Sequence, residues 1–494
     1  MTFKLHNSLG GKVEEFKPIK SGEVSMYHCG PTVYGPAHIG NFRTFVMNDI
    51  LRRSCEFLGY KVTQVMNITD IDDKTVKGSI AEGISLSEFT KKYEEKFLAD
   101  LKSLNVLTPH KLMLATENIG EMISLISSLI EKGFAYVASD GVYMSISKVS
   151  NYGELAGLKH RHEENNQARV NNDEYEKENP QDFALWKFQT EEEKSKNIGW
   201  DTPWGNGRPG WHIECSVMAL KAFKDTFGET IDIHTGGEDL LFPHHTNEIA
   251  QSESATGKKF VNYWLHVAFM NVAGDKMSKS KRNFYVLEDL EKEGVSALAF
   301  RFLLLQAHYR SKLNFTLESA HASQAGLIRY ISEYKNLKIK VALDERGGAN
   351  NANGTDKEHA TEESVKDEYI NEFKEKISSD LNITAGLALA WEVLKDKALS
   401  PASKIDLIEQ FDMVFGLNIK DFSPTENEIK DAIEYDTKSK NIPPEITVLA
   451  ELREEARKAK DWQKADALRD EILARGYNVI DGDGGKFEIS LLDD

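Results

Sequence analysis

Cys29-Gly30-Pro31-Thr32-Val33-Tyr34-Gly35-Pro36-Ala37-His38-Ile39-Gly40-Asn41 decides how the chain folds. Upstream, 23–28 reads as a β-strand. Downstream, Phe42, Phe45, Val46, Ile50 and Leu51 recur at helical spacing. A strand therefore ends in a Gly/Pro-rich loop at the point where a helix begins. Free N–H groups at a helix start attract phosphate, and Gly40 lets the backbone approach it without a Cβ in the way. His38 stands beside that position. The helix is expected to end near Gly59, and 61–66 alternates as the next strand, which implies a β-α-β unit with parallel strands. That strand runs into Asn67-Ile68-Thr69-Asp70, and catalytic loops of open α/β sheets gather at such carboxyl ends.

The rest of the chain extends this core. Helices are expected over 71–83, 86–104 and 116–132, and Asp140-Gly141 within 135–147 signals a hairpin. The segment 154–199 is dense in charge and Asn with little periodicity, so 115–205 reads as an insertion, part ordered and part loop. The core resumes with a helix near 211–223, a strand at 231–234, a Gly236-Gly237 turn, a helix across 244–256 and a strand at 264–269. From 316 onward the periodicity is helical, interrupted by the polar, Gly/Asn-rich 344–366, which is expected to be a disordered loop. Pro443-Pro444 marks a boundary before a charged helical hairpin, 446–475, and short strands near the end.

With 494 residues and 40% hydrophobic content, about two to four packed domains are expected. No apolar run approaches the roughly 18 residues of a membrane helix, and the start MTFKLHNSLGG has no apolar signal core, so a cytoplasmic protein without a membrane partner is expected. Three cysteines, Cys29, Cys55 and Cys215, are too few for a disulfide scaffold. A net charge of −18 opposes non-specific nucleic-acid binding, so an RNA partner has to be held by local basic patches.

Zinc takes Cys, His and carboxylate ligands, which need not be close in sequence if strand ends converge. Cys29 sits at one strand end, Cys215 in the helix of GWHIECSVMA, and His244 and Glu248 lie four apart on one helix face. His-x-x-x-Glu recurs by chance and selects no ligand set by itself, and His245, three residues from Glu248, stands beside His244 as an alternative. His234 reads as an active-site wall. Cys55, beside Phe57 on a helix, reads as a small buried side chain.

The segments CGPTVYGPAHIGN, NITDIDDK (67–74), GWHIECSVMA (210–219), FPHHTNEIAQS (242–252) and KMSKS (276–280) occur in this order along most of the chain. Together they resemble the cysteinyl-tRNA synthetases, a branch of the class I aminoacyl-tRNA synthetases. The resemblance implies an α/β fold: a Rossmann-like catalytic domain split over 1–114 and 206–270, with a connective insertion at 115–205 on the acceptor-stem side. It further implies a motif loop with stem-contact helices at 271–315, a helical anticodon-binding domain at 316–442 and a small mixed C-terminal domain at 443–494.

Cysteine–tRNA ligation follows from the resemblance, with L-cysteine, ATP and tRNA(Cys) as substrates. One zinc per chain would be held by Cys29, Cys215, His244 and Glu248, and Mg²⁺ would accompany ATP. His38, Asn41, Lys276 and Lys279 would act in catalysis. ATP would meet His38, Gly40, Gly236, Gly237, Asp239 and Lys279; cysteine would meet Cys29, Gly30, Thr69, Trp211 and His244. Asp70, Asp72, Asp73 and Lys74 carry no assignment beyond ordering the loop, and a monomer is expected. Two other readings stay open: a ligase of the mycothiol type that passes cysteine to an amino-sugar, and a non-catalytic RNA-binding paralogue.

Overall fold

In the computed structural model, which describes residues 2–158, 182–272, 274–276, 284–346, 356–440, 444–458, 461–481 and 487–491, the centre is a five-stranded parallel sheet. Its strands are β1 (Glu23–His28), β2 (Lys61–Ile68), β3 (Lys111–Leu114), β4 (Ile231–Gly237) and β5 (Val261–Val267), in the spatial order β5-β4-β1-β2-β3. β1 comes first in the chain among these five strands and lies in the middle of the sheet, so the order reverses between β1 and β4. Open α/β sheets bind ligands at the carboxyl ends of the strands at such a reversal. The Cys29 loop leaves β1 there, and Gly236-Gly237 end β4 there.

Helix α1 (Ile39–Phe57) crosses from β1 to β2 and buries Phe42, Phe45, Val46, Ile50 and Leu51 against the sheet. Its N-terminus is closed by a reciprocal pair. His38 Nδ1 accepts from the Asn41 N–H (3.2 Å), and Asn41 Oδ1 accepts from the His38 N–H (3.1 Å). Helix α2 (Asp73–Glu82) follows the β2 loop and is capped by Asp72, whose Oδ1 accepts from the Lys74 N–H. Helices α3 (Trp211–Phe223) and α4 (Thr246–Thr256) flank β4 in sequence and pack on each other.

Between β3 and α3 lies a second, antiparallel sheet of four strands: Ala135–Val137, Gly141–Met144, Phe183–Phe188 and Gly207–Pro209. Beyond β5, α5 (Ala297–Leu305) leads into α6 (Leu317–Arg346), α7 (Asp356–Ser378), α8 (Ile383–Lys395) and α9 (Pro401–Phe415). One apolar core runs from β1 and α1 through α5 to Phe373, Phe411 and Phe415. Helices Pro444–Lys458 and Trp462–Ala474 and the strands Tyr477–Asp481 and Phe487–Leu491 form a small unit with its own core around Ile446, Ala450, Ile472 and Val479.

Four expectations need correction. Gly236-Gly237 is not a turn: β4 continues through both, in register with His266 and Val267. The reason for glycine is space, since a Cβ on Gly236 would lie 2.7 Å from the His245 ring. The segment 154–199 contains a strand, Phe183–Phe188, whose Trp186 and Leu185 are fully buried. Helices α6 and α7 reach to Arg346 and begin at Asp356, so most of the expected loop at 344–366 is helical; residues 347–355 lie outside the described ones. The helix expected from 244 begins at Thr246, and the wider turn Leu241–His245 precedes it.

Arg301 joins the sheet to the helical region. It is fully buried on α5 and donates from Nη2 to Asp49 Oδ2 (2.6 Å) on α1, from Nη1 to the Leu104 and Asn105 carbonyls, and from Nε to the Phe415 carbonyl (2.6 Å) at the end of α9. Arg53 also binds Asp49 and the Asn105 carbonyl. The guanidinium is a planar fork of five donors, which suits a junction of several carbonyls and a carboxylate.

Candidate functional site

A cleft of about 350 Å³ opens at the reversal of the sheet. Cys29, Gly30, His38, Gly40, Asn41, Trp211, Gly237 and Asp239 line it, as does Lys74, whose ammonium lies 4.7 Å from the centre of the Tyr34 ring. Capping through Nδ1 leaves His38 Nε2 outside that bond, and the ring meets Phe284 edge-on at 5.3 Å. Burial lowers the His38 pKa, against the charge of Asp239, so the ring is a neutral hydrogen-bonding group near neutral pH.

Both flanks of the KMSKS segment reach this cleft. The backbone of Asp275–Lys276 pairs antiparallel with Met270–Val272, and Phe284 and Met270 line the cleft. On the far side, Val286 bridges to His38 and the Tyr285 carbonyl accepts from the Ile39 N–H (2.9 Å). Lys279 lies outside the described residues, and of Lys276 only the backbone is described.

At the inner end of the cleft is a buried cluster. Cys29 Sγ lies 3.6 Å from Cys215 Sγ and 3.7 Å from Glu248 Oε1, and His244 Nε2 lies 3.1 Å from the same Oε1. The ligand atoms of these four residues fall within 4.8 Å of one another. A second grouping of the same size replaces Cys215 and His244 by His234 and His245. His234 Nε2 is 2.9 Å from Glu248 Oε2, and His245 Nε2 is 3.4 Å from Cys29 Sγ.

Burial alone would push the Glu248 carboxyl up; His234 and His244 outweigh it and hold it at about 2. Burial would lower His244, yet Cys215 and Glu248 raise it to about 10. Cys215 is drawn down to about 6 by the hydrogen bond from Cys29 and by His244, against burial and the Glu248 charge. The proton held on His244 balances the Glu248 carboxylate and the low-pKa Cys215 thiol away from water, and a metal cation can take that proton's place. The donor set of two thiols, an imidazole and a carboxylate fits a soft or borderline divalent metal such as zinc.

The remaining residues of interest fall at different depths. Trp211, 39% exposed, covers the cluster with its ring 4.2 Å from that of His244. A Cβ on Gly30 would overlap the Asn67 carbonyl, and its N–H donates to Asn67 Oδ1 (2.8 Å). Thr69 lies beneath the wall and its hydroxyl donates to Glu214 Oε2 (2.9 Å). Asp239 faces the cleft at 2.4 Å from where a Gly237 Cβ would stand. Cys55 is buried elsewhere, in the core under α1. Asp70 accepts from the Thr116 N–H and hydroxyl, and Asp73 pairs with Lys187 and Arg208, so these acids fasten the β2 loop to its neighbours.

The model of the class I (C) catalytic domain of tRNA synthetases matches residues 15–325, and that of the cysteinyl-tRNA ligase anticodon-binding domain matches 439–487. The cysteine–tRNA ligase of Brachyspira hyodysenteriae is 43% identical over 487 residues, covering 96% of this chain and 97% of that protein. This chain belongs to the cysteine–tRNA ligase family. The ligases of Protochlamydia amoebophila, 40% identical over 493 residues, and of Methanosarcina mazei, 41% over 484, cover 97% of this chain and 96% and 97% of their own lengths. Methionyl-tRNA synthetase of Mycobacterium tuberculosis, solved with methionyl-adenylate, shares the fold alone: a TM-score of 0.58 at 13% identity over 83% of this chain and 93% of that one.

Sequence reasoning about this ligase-family chain passed over several residues that the geometry brings in. His212 Nδ1 lies 2.8 Å from His244 Nδ1 and so leaves Nε2 of His244 toward Glu248. His266 Nε2 lies 2.8 Å from His245 Nδ1. Glu214 holds Thr69, and Asn67 holds Gly30. His212 and Glu214 both precede Cys215 in GWHIECSVMA, so one turn of helix brings three side chains to the cluster and its wall.

Proposed function

We propose that this chain attaches L-cysteine to tRNA(Cys) in two steps, adenylation by ATP and transfer to the terminal ribose. The observation that carries this reading is the meeting of the Cys29, Cys215, His244 and Glu248 cluster with the His38, Gly40 and Asn41 helix start in one cleft. Zinc would be held by those four side chains, and would supply a soft Lewis acid that takes the substrate's sulfur as thiolate. Serine's hydroxyl is a far poorer ligand, so a rejection of roughly 10⁴, about 5 kcal/mol, needs no editing site.

In the first step the cysteine carboxylate attacks the α-phosphorus and pyrophosphate departs. Catalysis is then mostly positioning and neutralising charge on phosphate oxygens. His38 Nε2 and the start of α1 near Gly40 hold the phosphates, with Asn41 fixing the His38 ring from behind. Lys276 and Lys279 supply positive charge at the departing pyrophosphate, and Mg²⁺ arrives with ATP. Gly237 lets the nucleotide approach the end of β4, where Asp239 accepts from a ribose hydroxyl, and Gly236 behind it leaves room for the His245 ring. Gly30 and Trp211 enclose the amino acid, with Thr69 supporting that wall from beneath.

The division of labour along the chain belongs to the same proposal. Residues 1–114 with 206–270 perform adenylation, 115–205 meets the acceptor stem, 271–315 carries the motif loop, and 316–442 with 443–494 reach the anticodon. The match at 439–487 supports a tRNA acceptor over an amino-sugar. We place the protein in the cytoplasm as a monomer; no helix among the described residues is long and apolar enough to cross a membrane.

The test is cysteine-dependent exchange of labelled pyrophosphate into ATP, followed by transfer to tRNA or to an amino-sugar. Exchange with tRNA charging is expected. Exchange with charging of the amino-sugar alone, or no exchange at all, would overturn the proposal.

A further inference from the structure

Beside the cleft lies a chamber of about 180 Å³, between the β2 loop, the insertion sheet and the start of α3. Trp211 is a wall of both spaces. A cavity of the same size near Tyr152 and Thr246 shares no wall residue with the cleft. We propose that the chamber receives the base of the 3′-terminal nucleoside of the acceptor RNA. The inference rests on the reading of the chain as a tRNA ligase and adds a site to it.

Lys187 and Arg208 both line the chamber, which at first sight suits a phosphate. Yet Asp73 pairs with both of them, and Glu193 Oε1 takes the Arg208 Nε–H at 2.6 Å, so two cations face two carboxylates. Asp72 adds a further carboxylate to the lining. Such a lining repels a phosphate and accommodates a neutral, polar ligand. A nucleobase with exocyclic donors is one.

One buried polar atom of the chamber wall is left unpaired. Glu214 lines the chamber and is fully buried; its Oε2 is taken by the Thr69 hydroxyl, while Oε1 has no hydrogen-bond partner among the described residues. A buried polar atom left unpaired costs free energy, and a ligand polar group that hydrogen-bonds to it would remove that cost. Phe183 and Trp211 supply the apolar faces that a base stacks on.

About 180 Å³ corresponds to roughly six water volumes, which suits a purine ring and leaves its ribose in the cleft. In the transfer step a ribose hydroxyl oxygen forms the new ester bond to the cysteinyl carbonyl carbon. The bond from that carbon to the AMP phosphate oxygen breaks with its electron pair, and the hydroxyl proton leaves with AMP. A base seated behind Trp211 brings that hydroxyl to the same wall that covers Cys29 and His244.

The experiment uses the full chain, loaded with zinc and first shown to charge tRNA, so that failure of the ligase reading is detected separately. Transfer RNA ending in 8-azidoadenosine is bound, irradiated and mapped by peptide. Label is expected within 71–73, 183–188 or 208–214; label confined to other residues overturns the inference. In parallel, affinities are measured for intact tRNA and for tRNA lacking its last nucleotide. The intact form is expected to bind about tenfold more tightly to the unaltered chain, and Glu214→Met to bring the two within twofold, with Glu214→Gln between. Equal affinities in the unaltered chain, or a tenfold preference that survives Glu214→Met, would overturn it as well.

Discussion

Replacing Gly30 by alanine should damage catalysis far more than its single methyl group suggests. A Cβ at that position would stand 1.7 Å from the Asn67 carbonyl oxygen and 3.0 Å from Met66 Cγ, and both neighbours belong to the inner end of β2. Backbone of a buried parallel strand cannot swing aside as a surface side chain does. The Cys29–Gly30 segment has to withdraw by more than about 1 Å, and the Gly30 N–H then leaves Asn67 Oδ1, now at 2.8 Å. Displacements of that size at a reacting centre cost about 10²-fold. Overpacking and the lost hydrogen bond together cost about 2–4 kcal/mol of stability. Gly59→Ala serves as the comparison: Gly59 has φ +91° but nothing within 4 Å of a new Cβ, so it should lose about 1 kcal/mol and no activity. The assay is kcat/KM for cysteine in pyrophosphate exchange, with a denaturant titration beside it. Activity of the Gly30→Ala chain within threefold of the unaltered one would refute the reasoning.

Three further outcomes follow from the same structure. Arg301→Met should cost about 3–5 kcal/mol, because Asp49 and three carbonyls lose a buried donor, and Arg301→Lys should recover less than half of it; a change below about 1 kcal/mol in the first urea transition would contradict the role given to the junction. Burial alone would raise the Asp73 carboxyl, but Arg208 and then Lys187 outweigh it and hold it at about 2, below the ordinary 3.8. Its contribution is therefore present above about pH 4 and is lost as the pH falls toward 2; Asp73→Asn should flatten that part of the acid unfolding curve, and an unchanged curve would count against it. Metal analysis should find zinc retained in Cys55→Ala and lost in Cys215→Ala, since Cys55 lies in the core under α1 and Cys215 in the cluster.

Much of the fold was legible in sequence because its signals are local. The strand, loop and helix around 23–57 are set by apolar spacing and by Gly and Pro within one stretch, and the hairpin expected at Asp140-Gly141 is there, although its turn is 138–140 and Gly141 opens the second strand close to the Trp186 carbonyl. The strand at 183–188 escaped because FALWKF is short and follows a polar run, so its apolar character pays off only against partners, Gly141–Met144 and Gly207–Pro209, that lie apart in sequence. Helices α6 and α7 escaped in part because the Gly/Asn-rich centre between them masks their charged ends. The candidate metal ligands were named through family motifs rather than spacing, since Cys29 and Cys215 meet only when α3 lies across the end of β1. Glu214 and Arg301 gave no sign at all. Their roles rest on long-range pairing, Glu214 with Thr69 and Arg301 with Asp49 and Phe415, which no local pattern announces.

The central claim is that cysteine is chosen through its sulfur, by a metal bound to Cys29, Cys215, His244 and Glu248. X-ray absorption at the zinc edge of the metal-loaded chain, with and without L-cysteine, tests it most directly. Two sulfur ligands are expected without substrate, three when cysteine is added, and still two with serine. A sulfur count unchanged by cysteine, or a chain that binds no zinc, would contradict the account.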